Sequence, residues 1–254
     1  MNLFSSFEGL IWFVLTLLPL VFLQRLLHRE IQAVLLILSR SERVTITLFS
    51  LIFLPGVLLH ELSHYGMAVL LGVDAARFSL IPQLLEDGRL QLGYVETAKT
   101  DIARDSLVGA APLIVGGGFV ALVAIFPMHL QPMWDVLRNG QLGLFWFGIT
   151  GLFTIKDFPL WFYLTFAVSS TMLPSQSDRH AWLPLGVTIA VLIALAILAG
   201  IGPWMLTYLA PPLNSFLSAA AIIFGLSATV HAALIVPTFL IHKGLARIAG
   251  VDIQ

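Results

Sequence analysis

The chain has 254 residues, 58% of them hydrophobic and 11% charged, with a mean hydropathy of +0.95 and a formal net charge of −1. A soluble domain carries about twice that charged fraction, and here the apolar residues come in long runs, so an integral, multi-pass protein of the lipid bilayer is expected. The near-neutral charge gives no electrostatic footing for nucleic acid, and the absence of cysteine excludes disulfides and thiolate metal sites, leaving His, Asp and Glu as metal ligands.

The first apolar run covers residues 3–23, and a connector with Arg25, Arg29, Arg40 and Arg43 carries it to residue 43. The N-terminus has no basic start and no small-residue cleavage site, so it reads as a retained span rather than a removed signal peptide. A second run, 44–73, is broken at Pro55-Gly56. The longest polar stretch follows, 74–105. Within it, residues 89–96 alternate with period two, and Glu86-Asp87-Gly88 supplies turn residues, which predicts a β-hairpin at the membrane boundary. Pro82 confines the first strand to an edge.

A third run, 106–127, is rich in glycine and alanine, the residues that let helices approach closely in lipid. The apolar region 142–173 is interrupted at Lys156-Asp157-Phe158-Pro159, and two C-terminal spans fill residues 181–241. The expected architecture is therefore a single all-α membrane domain of about six transmembrane helices, with a small hairpin inserted after the second run. Each full span needs about 20 apolar residues.

The second run carries His60-Glu61-Leu62-Ser63-His64. On a helix, residues four apart share a face, so both imidazoles point the same way, one turn apart. Two neutral imidazoles suit Zn²⁺, and Glu61, offset by about 100°, can act as general base toward a water on the metal without being a ligand. If the span begins near Ile46, His60 lies ~21 Å along it at 1.5 Å per residue, well inside the bilayer, where ionisable side chains are costly and mark function.

A catalytic zinc takes three protein ligands and keeps one open position. Asp178, Asp157 and His231 all lie in or beside apolar runs and are candidates for the third. Asp178 follows a break at Pro174 that can aim a carboxylate inward. Asp157 adjoins Lys156, which offers a local ion pair, and His231 lies deep in the last run, where a packing histidine is the plainer reading.

In these motifs the chain resembles the site-2 protease family of intramembrane zinc metalloproteases. The matching residues are His60-Glu61-Leu62-Ser63-His64 with Ala68, then Ala111-Pro112, then Pro174 with Asp178. The resemblance implies His60, His64 and Asp178 as zinc ligands and Glu61 as general base. It further implies a core over residues 44–178, including the insert 74–105, and as substrate a membrane protein cut in or near a transmembrane segment. Ser63 replaces the family's usual glycine. Val115 stands where an asparagine follows the Gly-Pro pair, and Asp178 lies one residue closer to its proline.

A protease must hold its substrate extended, which an exposed strand can do by strand addition. On that ground Arg89, Gln91, Gly93 and Val95, one face of the alternating segment, are expected to contact substrate. The competing reading is a non-catalytic membrane pseudoprotease or chaperone that binds transmembrane clients. A zinc protease completed by a later glutamate is disfavoured, because no glutamate follows Glu96.

Overall fold

The computed structural model describes residues 7–84 and 90–250. In chain order its elements are α1 (Glu8–Ser39), α2 (Glu42–Leu70), β1 (Ala75–Ser79), β2 (Gln83–Leu84), β3 (Leu90–Gln91), β4 (Tyr94–Thr97), α3 (Ile102–Ile125), α4 (Gln131–Arg138), α5 (Leu142–Leu152), α6 (Phe158–Thr171), α7 (Trp182–Leu198), α8 (Gly202–Tyr208) and α9 (Ala210–Ala249). Four of the described helices, α1, α2, α3 and α9, are long and apolar enough to cross a membrane. A fifth span is reached if α7 and α8, bent by 115° at a short break, act together.

That inventory falls short of six, for a local reason. The 142–173 region divides into α5 and α6, of 11 and 14 residues, each shorter than the about 20 residues a full span needs. α6 compensates by its position. Thr165 to Ser170 are consecutively buried, so every side of the helix is covered, as expected of a central helix.

α2, α3 and α6 pack against one another, and α1 runs beside α9 along most of its length. The α1–α9 pair is parallel: the Gly9 N–H donates to Asn214 Oδ1 at 2.6 Å, the Phe13 and Phe224 rings lie 5.4 Å apart, and His242 meets Glu30 at 2.6 Å. Two apolar clusters tie this pair to the core. One joins Leu27, Phe49, Phe53, Val57, Phe166 and Val230, and the other joins Leu20, Val120, Val168, Met172 and Phe224. At Gly56 a Cβ would fall 2.2 Å from the Ala167 carbonyl oxygen, so glycine sets how closely α2 and α6 approach.

The insert is an antiparallel hairpin in two stages. β1 pairs with β4 in the register Phe78↔Val95 and Ser79↔Tyr94, with a bulge between Ala75 and Arg77, and β2 pairs with β3. The alternating segment therefore forms two strands, interrupted at Leu92-Gly93, and its turn residues lie outside the described region. Asp101 closes the insert by capping α3, accepting from the Arg104 and Ala103 N–H groups at 3.0 and 3.1 Å. Those bonds, the one from Arg104 first, hold this exposed carboxyl below its usual range.

Candidate metal site

His60 and His64 face the same side of α2, their ring centroids 4.8 Å apart. Each ring is oriented by a carbonyl of a different helix. His60 Nδ1–H donates to the Thr171 oxygen at 2.6 Å, and His64 Nδ1–H donates to the Val108 oxygen at 2.9 Å. Both acceptors are available for identifiable reasons. Thr171 is the last residue of α6, where carbonyls lack helical donors. Val108 lies four residues before Pro112, which has no N–H to give it. Ser170, in the last turn of α6, likewise has a carbonyl without a helical donor, and Gln24 of α1 donates to it at 2.5 Å.

With Nδ1 protonated in each neutral ring, both Nε2 atoms present lone pairs, and they lie 3.2 Å apart. The Asp178 carboxylate completes the group, with Oδ1 at 3.4 Å from His64 Nε2 and Oδ2 at 3.7 Å from His60 Nε2. Three acceptors without a shared proton repel one another unless a cation sits among them. Bonds of 2.0–2.1 Å in tetrahedral geometry place ligand atoms about 3.3 Å apart, and the observed separations fit that edge. The three ligand atoms all lie within 4.8 Å of one another, so the cluster can hold a metal ion.

Asp178 comes from the turn between α6 and α7. Its Oδ2 accepts the Ser175 N–H at 2.6 Å. Arg179, its neighbour, donates instead to the Ser175 carbonyl at 3.1 Å. The other two candidates lie elsewhere. Asp157 stands at the N-terminal end of α6, opposite Thr171, about 21 Å away along a helix rising 1.5 Å per residue. His231 is buried on α9 with both nitrogens engaged, Nδ1 with the Ser227 carbonyl at 2.7 Å and Nε2 with Ser170 Oγ at 2.9 Å.

Glu61 is buried beside the histidines, under the hairpin. A Cβ at Gly93 would stand 2.9 Å from Glu61 Cγ and 3.0 Å from the Ser79 carbonyl oxygen, so only glycine lets the hairpin pass this closely over the carboxylate. A cavity of about 1110 Å³ opens here, lined on one side by His60, Glu61, His64 and Asp178 and on the other by Leu92 to Thr97. Gly93 and Val95 are thus at the cavity wall. Gln91 is in β3, its side chain outside the description, and Arg89 lies outside the described residues.

Sequence reasoning passed over four contributors. Val108 and Thr171 act through their carbonyls, and for Val108 the proline four residues on was a usable signal. Asp105 and His180 also line the cavity and read in sequence only as loop polarity. Comparison with protein-family models, curated proteins and solved structures finds no match for this chain.

Proposed function

We propose that this chain is a membrane-embedded zinc metalloprotease of the site-2 protease type, cutting polypeptides in or near their transmembrane segments. Its helices expose apolar side chains outward: α7, for example, buries none of its residues and turns Leu183, Leu192 and Leu195 to the surroundings. Lipid is the solvent that suits such a surface. The observation that carries the reading is the convergence of two Nε2 atoms and one carboxylate, with both Nδ1 atoms committed to backbone carbonyls. Backbone carbonyls behind ligating histidines are the usual outer support of a zinc site.

His60, His64 and Asp178 would hold a zinc ion, which when bound would supply Lewis acidity toward a water and the scissile carbonyl. Glu61 takes the proton of the attacking water and delivers it to the departing amine. The hairpin holds substrate: β4 pairs only with β1 among the described strands, so its second edge is available to an extended peptide along the cavity. Shielding from bulk water comes from the burial of Glu61 and His64.

The test is metal analysis of the full chain purified in detergent, paired with cleavage of a co-reconstituted membrane protein. Stoichiometric zinc that disappears in His60→Ala and His64→Ala supports the reading. A chain that binds no zinc refutes it. A chain that keeps zinc and binds transmembrane clients but never cleaves them is a chaperone instead.

A further inference from the structure

His60 and His64 sit on one helix and keep their spacing automatically, whereas Asp178 comes from a turn with no regular structure. Hydrogen bonds inside that turn, Ser175 Oγ to Ser177 Oγ at 2.7 Å and the Asp178 N–H to Ser175 Oγ at 3.3 Å, shape it. They do not determine where it lies relative to α2. Three contacts to one face of α3 do. The Asp178 carbonyl sits where a Cβ on Gly109 would be, Trp182 Nε1 donates to the Ser106 carbonyl at 3.3 Å, and His180 Nε2 meets Asp105 Oδ2 at 2.7 Å. The same helix turn supplies Val108, whose carbonyl orients His64.

We infer that Asp105 and His180 form a latch that presses the Asp178 turn onto α3, making both positioning residues for the metal cluster. The inference rests on reading that cluster as a metal site. His180 is spent on this task, because its other nitrogen, Nδ1, faces the Ser177 carbonyl at 2.5 Å and neither is left to meet a substrate. The Asp105 and His180 side chains are 25% and 67% exposed, so the pair adds modestly to overall stability. Its leverage is geometric. The carboxylate of Asp178 stands 3.4 and 3.7 Å from the two Nε2 atoms, so a shift of about 1 Å in the turn removes it from a metal's reach. Neither residue bonds a ligand side chain directly, so the expected loss of metal affinity is that of a partly exposed pair, about three- to fivefold.

The experiment is a Co²⁺ titration of the full chain in detergent against a competing chelator, read by the visible absorption of tetrahedral cobalt. Asp105→Ala and His180→Ala should each weaken Co²⁺ affinity by about three- to fivefold and reduce the tetrahedral band, with helical content unchanged. The exchanged pair, Asp105→His with His180→Asp, should recover much of the affinity. Wild-type affinity and spectrum in both single variants overturn the latch while leaving the metal site standing. An exchanged pair as weak as the singles overturns it too. Absence of Co²⁺ binding by the unaltered chain instead removes the metal reading, and the latch with it.

Discussion

Pro112 and His64 lie on different helices and never bond, yet the proline gives the histidine its acceptor. Pro112 cannot donate to the carbonyl four residues earlier, and His64 Nδ1 occupies that carbonyl, Val108 O, at 2.9 Å. A helix defect in α3 thereby becomes an orienting contact for a side chain of α2. The arrangement fixes which nitrogen of His64 carries the proton and turns Nε2 toward Asp178.

Pro112→Ala separates this role from helix stability. The substitution restores a helical N–H that competes for the Val108 carbonyl, so α3 itself should be as stable or more so. Metal affinity should nonetheless fall by about 10–100-fold, the usual effect of losing an outer partner. Chelator competition measures the affinity, and thermal unfolding in detergent measures the fold. Unchanged affinity would show that His64 needs no such orientation.

Gly109→Ala addresses Asp178, the proposed third ligand, through its backbone. The added Cβ meets the Asp178 carbonyl oxygen far inside contact distance; the oxygen belongs to main chain and the Cβ is fixed by it, so neither can rotate away. Overpacking of this kind costs about 1–3 kcal/mol. The expected result is a lower unfolding temperature together with loss of bound metal. Retention of metal at wild-type affinity would mean that the Asp178 turn tolerates displacement.

Glu61→Gln tests the proposed general base without disturbing the proposed metal ligands. Glutamine has nearly the same volume and can stay beneath Gly93, where the space is tight, but it cannot accept the water proton. Cleavage should drop by about 10²–10⁴-fold, the range a positioned base contributes, while zinc content stays at the wild-type level. Residual activity near wild type would remove Glu61 from the mechanism.

The parts of this molecule differ in how well the sequence shows them, and the difference follows range. His60, Glu61 and His64 belong to one helix turn, so their common face is a matter of local periodicity. The hairpin is equally local, since its period-two alternation and turn residues span a few positions. The helix inventory was less legible, because hydropathy marks apolar stretches without saying where α5 ends and α6 begins. Gly93 over Glu61 and Asp105 against His180 were not legible at all. Those pairs are brought together by the packing of α2, α3 and α6, and neither pair has a spacing that a pattern search would notice.

Glu30 and His242 carry a consequence for the outer helices. Their side chains are 4% and 6% exposed and meet at 2.6 Å between α1 and α9. Arg29, itself 67% exposed, reaches the other Glu30 oxygen at 3.4 Å. Removing Glu30 leaves His242 unpaired in an apolar contact, and removing His242 leaves Glu30 only Arg29; a stranded buried polar group costs about 1–3 kcal/mol, more where it is charged. Replacing both with well-packed apolar groups is often neutral or stabilising. Glu30→Ala and His242→Ala should therefore each lower the unfolding temperature strongly, whereas Glu30→Leu combined with His242→Leu should stay close to the unaltered chain. The contrast isolates the buried polar contact from simple loss of packing: if the double leucine variant is as unstable as either alanine variant, the two helices depend on the Glu30–His242 contact itself to align in parallel.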